Sequence, residues 1–241
     1  MSFSVFVATQ NWAHTSQIAA HSQPSVTSTN DWAKESAFRA GQADFEVFIA
    51  DHQSAGRGRG ANIWQDAAPG DLLLSSWSFQ LSAPPQPVLA PALGLSLFRA
   101  MVTTWPDLPF SLKAPNDLYL GDKKLAGILL ENVQQGDKTR LIFGLGLNVF
   151  NKPDLPTATC LAEGLSLDRV NELGWNLFLD RLWLELVSAL RETKATLSPN
   201  QCASLRYALN RNPNLTAPYD AVTPEGSLIV AGGEKIDWST L

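Results

Sequence analysis

Four short stretches of strand character follow one another between residues 110 and 149. They lie near 110–113, 117–120, 124–132 and 139–149, and the turns Gly121-Asp122 and Gly136-Asp137 separate the last three. Strands joined by connections this short pair antiparallel, because a parallel crossover needs a dozen or more residues. This part of the chain is therefore held to an antiparallel meander. Further strands are predicted from the alternation of Phe3, Val5 and Val7, from FEVFIA at 45–50 and from LLLSSWSFQL at 72–81. Helices are predicted over 31–40, with Thr29 or Asn30 as cap and Gly41 as stop, and over 88–104. Trp175, Phe178, Leu179, Leu182, Leu186 and Leu190 share one face of a third helix. A fourth falls at 198–209. Beyond Pro213 the chain turns rich in proline and glycine, with one hairpin around 227–238. Strands and helices mix without regular alternation, which favours an α+β fold over a doubly wound sheet: a mixed, largely antiparallel sheet packed with helices.

The 241 residues suit one medium domain, and 45 % hydrophobic content supplies a real core. The tail from 211 to 241 is too short for an independent core. Eighteen basic against 23 acidic side chains give a net charge of −5, a poor match for a protein that binds nucleic acid over its whole surface. No apolar run approaches the roughly 18 residues that cross a bilayer, and the N-terminus lacks the pattern of a signal peptide. Cys160 and Cys202 form neither a metal-type spacing nor a disulfide framework, so a reducing, cytoplasmic setting is expected.

Four segments carry polar chemistry. In DHQSAGRGRGANIW, 51–64, Gly56, Gly58 and Gly60 surround Arg57 and Arg59. Such a loop bends tightly, brings backbone N–H groups near a ligand and grips phosphate or carboxylate through two guanidinium groups. A flexible surface loop, or an Arg-Gly segment touching RNA, explains the same composition. The loop lacks the Gly-Lys-Ser/Thr ending of a phosphate-binding Walker loop. In KAPNDLYLGDKKLAGILLE, 113–131, Lys124, Ala126, Ile128 and Leu130 alternate with Leu125, Gly127, Leu129 and Glu131. Gly127 marks close approach of a ligand or of another backbone. Asn116-Asp117 reads as an Asx-type turn, or as side chains offered to a metal or a triphosphate. In LIFGLGLNV, 141–149, Gly144, Gly146 and Asn148 share one face, a bare strip that suits either a ligand or a close-packed strand. Ser28-Thr29-Asn30 reads as a helix cap, at a helix end that also offers N–H donors to a polar ligand.

The order of these motifs is more specific than any one of them. STN, QSAGRGRG followed by Trp64, KAPNDLYL, KKLAGILLE and GLGLN together resemble the catalytic domain of biotin–protein ligases of the biotin–acetyl-CoA-carboxylase type. The resemblance runs from about residue 26 to 150. It implies a class II synthetase-like biotin/lipoate ligase fold, with residues 1–210 catalytic and 211–241 an abbreviated form of the family's small C-terminal β-barrel. It implies that ATP activates biotin to biotinyl-5′-AMP, with Mg²⁺, and that biotin then passes to a lysine of a biotin carboxyl carrier protein, a subunit of acetyl-CoA carboxylase.

By the same resemblance Lys124 and Arg57 are catalytic. Ser28, Thr29, Asn30, Gln53 and Gly127 bind biotin. Arg57, Gly58, Arg59, Trp64, Lys113, Asn116, Asp117 and Asn148 face the adenylate or ATP, with Asn116 and Asp117 near the metal through the phosphates. The loop is expected to be mobile before ligand arrives and to close over the adenylate.

The chain departs from the family at Ala114, where tryptophan is usual, and at Ala61, where glycine is common. Ile63 precedes Trp64 in place of the customary basic residues. No helix-turn-helix pattern precedes Ser28, so no DNA partner is expected, and no membrane partner either. A lipoate or octanoate ligase, a biotin-binding homologue with impaired catalysis and an RNA-binding loop are the competing readings.

Overall fold

The computed structural model describes residues 3–165, 170–193 and 195–241. It divides into two compact units, Met1–Pro85 with Ala126–Asn176, and Gln86–Leu125 with Leu177–Leu241.

The first unit is built on strands β1 (Ala20–Val26), β2 (Phe45–Gln53) and β3 (Leu72–Leu81), with β7 (Lys138–Asn148) and the part of β6 (Lys123–Gln135) that begins at Ala126. Their order is β1-β2-β3-β7-β6. β1 runs parallel to β2, and the other pairs are antiparallel. The sheet is thus mixed and largely antiparallel. β3 is buried at its first eight positions, as a central strand covered on both faces must be. In the register, Gly127 of β6 stands opposite Gly146 of β7, and Gly146 opposite Leu74 of β3.

The N-terminal segment corrects the sequence reading. Val5–Thr15 is a helix, α1, not a strand, and Ser4 caps it by accepting from Val7 N. Its buried residues Val5, Ala8, Thr9, Trp12 and Ala13 recur at helical spacing. Trp12 meets Trp77 of β3 with ring centroids 5.7 Å apart, and the Trp175 indole donates to Thr9 Oγ1 at 3.0 Å. Tertiary burial of that stripe decided between helix and strand, and the valine alternation was incidental.

Helix α2 (Thr29–Glu35) is also shorter than expected. Its cap is Ser28, whose Oγ accepts from Asp31 N, and it ends near Ser36. Phe38 and Gly41 then take positive φ values of 65° and 73°, so the chain has left the helix before residue 40. Beneath α2, Ala33, Phe48 and Ile142 form a fully buried cluster flanked by Trp32 and Val133.

The second unit holds α3 (Leu89–Thr104), the antiparallel hairpin β4 (Phe110–Lys113) and β5 (Asp117–Leu120), and α6 (Pro199–Asn210), all close to their expected positions. It also holds the part of α5 (Glu172–Glu192) from Leu177 onward, where Phe178, Leu179, Leu182 and Leu186 are fully buried. Trp105 and Phe178 meet at 5.6 Å. Ser198 and Gln201 make a reciprocal capping box at the start of α6, with Pro199 in the first turn.

The expected hairpin at 227–238 is present as β9 (Leu228–Ile229) and β10 (Lys235–Ile236). β8 (Ala221–Val222) adds a third short strand. This is a small open sheet, not a closed barrel. In the first unit, α4 (Leu161–Gly164) follows β7.

Candidate functional site

In the first unit the candidate residues gather at the start of α2. Ser28, Thr29 and Asn30 are all at least 97 % buried, as is Ser76 of β3. Buried polar groups at a helix start need partners, and these have them. Gln53 Oε1 accepts from Thr29 N at 2.7 Å and from Thr29 Oγ1 at 3.1 Å. Ser76 Oγ lies 2.8 Å from Thr29 Oγ1 and 2.5 Å from Asn30 Oδ1. At the end of β2 the Gln53 backbone N–H donates to Asp66 Oδ2 at 2.5 Å, and His52 Nδ1 lies 3.1 Å from the same oxygen. Burial pushes the Asp66 carboxyl above its ordinary range, against the pull of Gln53 N–H and His52.

The glycine/arginine segment folds back on itself as a small hairpin. Gly58 N donates to Asn62 O at 2.8 Å, Trp64 N donates to Gly56 O at 3.0 Å, and Arg57 and Ile63 form a bridge. Gly56 is required here, because a Cβ would fall 2.7 Å from Trp64 O. Arg57 reaches back to the sheet and to α2. Its Nη1 lies 2.6 Å from Asp31 Oδ1, and its Nη2 lies 2.9 Å from Glu131 Oε1. Lys34 Nζ pairs with the same two carboxylates at 2.8 and 3.0 Å. Arg59 occupies the hairpin turn, where its carbonyl accepts from Asn62 N at 3.2 Å.

The bare strip on β7 is not empty. Gly144 lies under Asn30, and Gly146 lies under the indole of Trp64. An added Cβ would collide with the Asn30 amide at the first and with the Trp64 ring at the second. The glycines therefore serve close approach of the protein's own side chains. Trp64 Nε1 and Asn148 Oδ1 are buried without hydrogen-bond partners. Asn148 Nδ2 donates to Thr159 O at 2.9 Å, which fixes the amide and leaves its oxygen as the unused acceptor.

In the second unit, Lys113, Asn116, Asp117 and Lys124 fall in and beside the β4–β5 hairpin. Lys113 stands opposite Asp117 in the register. Lys124 Nζ lies 2.7 Å from Asp117 Oδ1, a pairing that the Gly121–Asp122 turn brings about. The Lys113 ammonium lies 5.6 Å from the Tyr119 ring centroid.

The candidates thus form two groups, one per unit. Ser28, Thr29, Asn30, Gln53, Arg57, Gly58, Arg59, Trp64, Gly127 and Asn148 belong to the first, and Lys113, Asn116, Asp117 and Lys124 to the second. Sequence reasoning missed Asp31, Lys34, Ser76, Glu131 and Asp66. Glu131 closes the KKLAGILLE motif, and its alternation with Gly127 and Leu129 was the one available signal.

Among the described residues no group of three or more His, Cys, Asp or Glu side chains is arranged to hold a metal ion. Asp117 Oδ1, the oxygen beside Lys124 Nζ, is buried. Among the same residues no helix is long and apolar enough to cross a membrane.

A mixed sheet, a capped helix start with a half-buried glutamine beside it, and an Arg-Gly hairpin over a glycine strip define an α+β domain with a candidate site in its first unit. The model of the Biotin/lipoate A/B protein ligase family matches residues 22–148, just over half of the chain, and the chain belongs to that family. It is 35 % identical over 133 residues to the bifunctional ligase/repressor BirA of Escherichia coli, an alignment covering 52 % of this chain and 39 % of that protein. It is 32 % identical over 185 residues to the biotin–[acetyl-CoA-carboxylase] ligase of Mycobacterium tuberculosis, covering 74 % of this chain and 60 % of that one. The chain therefore spans between two and three fifths of these relatives. The structure of a biotin protein ligase from Aquifex aeolicus in complex with biotin and ATP superposes with a TM-score of 0.65 at 26 % identity, covering 90 % of this chain and 95 % of that one. The fold expected from the motifs is the fold of these structures.

Proposed function

We propose that this chain is a biotin–protein ligase. It activates biotin with ATP to biotinyl-5′-AMP and pyrophosphate, then transfers biotin to a specific lysine of a biotin carboxyl carrier protein, a subunit of acetyl-CoA carboxylase. Residues 1–210 carry the catalysis, and 211–241 form the C-terminal β segment. The observation that carries the reading is the Thr29–Gln53–Ser76–Asn30 network, buried at Thr29, Asn30 and Ser76, beside the Arg-Gly hairpin in one compact unit. It supplies fixed donors and acceptors to a small polar ring system, here the ureido end of biotin, with Ser28 and Gly127 alongside.

In the first step a carboxylate oxygen attacks the α-phosphorus, a P–O bond forms, and the bond to pyrophosphate breaks. Both reactants are anions, so cations must balance the developing charge and water must be kept from the mixed anhydride. Lys124 takes the position beside the carboxylate and the α-phosphate, where one well-placed donor contributes about 3–4 kcal/mol in the transition state. Arg57, Gly58 and Arg59 enclose the adenylate, with Trp64 over it. Lys113, Asn116 and Asp117 face the triphosphate, and Asn148 presents its amide oxygen. Mg²⁺ would come as part of the ATP substrate and offset phosphate charge there, with Asn116 and Asp117 facing it through the phosphates. In the second step the carrier lysine's amine attacks the acyl carbon and AMP leaves.

The test is biotin-dependent ATP–pyrophosphate exchange by the wild type, Lys124→Ala and Arg57→Ala. Exchange with biotin that falls in both variants supports the reading. Exchange supported by lipoate or octanoate but not biotin transfers the chain to the other branch of its family, and exchange with none of them marks a homologue that has lost catalysis.

A further inference from the structure

Glu131 of β6 accepts four side-chain hydrogen bonds. Its oxygens accept from Asn30 Nδ2 at 2.9 Å, Lys34 Nζ at 3.0 Å, and Arg57 Nη1 and Nη2 at 3.1 and 2.9 Å. Asp31 takes the rest of Arg57 Nη1 at 2.6 Å and Lys34 at 2.8 Å. Two cations and two anions from three separate stretches of chain thus close a neutral cluster. Both terminal nitrogens of Arg57 are spent inside it, so while it stands that guanidinium does not reach for a phosphate. Its effect is to tie the loop's first turn to α2 and β6.

The same carboxylate also sets the amide of Asn30. With Nδ2 on Glu131 and Oδ1 beside Ser76 Oγ, the Asn30 side chain is held over Gly144. From Ser76 the hydrogen bonds continue to Thr29 and to Gln53. One carboxylate therefore serves two elements of the candidate site, the Arg-Gly hairpin and the polar network at the start of α2.

We propose that Glu131, with Asp31 beside it, is a positioning residue that anchors the Arg-Gly hairpin through Arg57 and holds the Asn30 amide in place. Its consequence for turnover rests on the ligase reading, whereas its consequence for the loop does not.

The experiment compares the full-length wild type with Glu131→Gln, Arg57→Ala and the double variant. Amide hydrogen exchange of residues 55–65 is measured without ligand, and kcat and KM for biotin are measured in pyrophosphate exchange. Loop exchange rises about tenfold in each single variant and no further in the double one, because both remove the same anchor. In Glu131→Gln, KM for biotin rises about tenfold, while kcat at saturating biotin stays within about twofold. Glu131→Asp, which keeps the charge, recovers part of both effects. Unchanged loop exchange in Glu131→Gln, or a loss confined to kcat, overturns the proposal. Should Glu131→Gln open the core amides of β3 as fast as the loop, Asp31→Asn provides the same comparison, with the same outcomes supporting or overturning it. A wild type without biotin-dependent exchange, but with the loop responding as described, sinks the ligase reading and leaves the anchor standing.

Discussion

The indole of Trp64 rests on Gly146 so closely that a Cβ at that glycine would fall 2.6 Å from Cε2 and 2.7 Å from Cζ2. Real side chains do not approach this near, so Gly146→Ala must move Trp64 or bend β7. Overpacking of this kind costs about 1–3 kcal/mol. The variant should lose that much stability in urea denaturation. Trp64→Ala in the same background should restore most of what Gly146→Ala takes away, because the clash partner is gone. Additive losses in the double variant would mean that the two residues do not meet.

Lys124 and Asp117 stand 2.7 Å apart at the mouth of a tight turn, with Lys124 about one-third exposed. An ion pair this open stabilises the fold by less than about 1 kcal/mol. Its removal should be felt in chemistry instead. Lys124→Ala is expected to lower biotin-dependent pyrophosphate exchange by about 10²–10³-fold while the midpoint of thermal unfolding barely moves. Retained exchange would remove the lysine from the reaction. A collapse of stability would make its role structural.

Much of the architecture was legible because local signals agreed. β3, β4 and β5 begin and end where apolar alternation and Gly-Asp or proline punctuation placed them. α1 was misread because Phe3, Val5 and Val7 alternate, although Trp12 and Ala13 complete a helical stripe with Val5, Ala8 and Thr9. The site motifs were legible as types. Their partners were not, because Asp31, Arg57 and Glu131 lie far apart in the chain and only folding brings them together. The occupied glycine strip was equally hidden: spacing shows that Gly144 and Gly146 share a face, but not that Asn30 and Trp64 fill it.

The charge cluster also fixes a pH dependence. Burial alone would raise the Glu131 carboxyl, but hydrogen bonds from Asn30, Lys34 and Arg57 outweigh it and hold the group below its ordinary value of 4.5. Asp31, beside Lys34 and Arg57, is likewise held below 3.8 despite its own burial. A carboxyl whose folded pKa is lowered binds fewer protons in the native state, so its contribution is complete above the unfolded pKa and is lost as pH falls through the folded one. Wild type should therefore be more stable than Glu131→Gln at pH 7, and the gap in unfolding midpoint should close as pH drops below about 4.5. A gap that persists at pH 3 would assign the effect to shape, not charge.

Arg140 is a cation of another kind, 99 % buried on β7. Burial, ahead of the nearby Glu46 and Asp44 charges, lowers its pKa, yet its guanidinium is well supplied with acceptors. Nε donates to Ser78 Oγ at 3.0 Å, and the terminal nitrogens donate to Ala43 O at 3.0 and 2.8 Å and to Asp44 O at 3.3 Å. The residue therefore fastens the chain just before β2 to the sheet through Ala43 O, next to Asp44 O, which also accepts from Gln80 N of β3 at 2.7 Å. Arg140→Ala takes the guanidinium donors from Ala43 O and opens a cavity beside Ser78. The loss should be about 3 kcal/mol in urea denaturation. Arg140→Lys should recover only part of it, because one ammonium cannot span acceptors that a planar guanidinium reaches together. Full recovery by lysine would show that charge alone, and not the fork of donors, holds residues 43 and 44 in place.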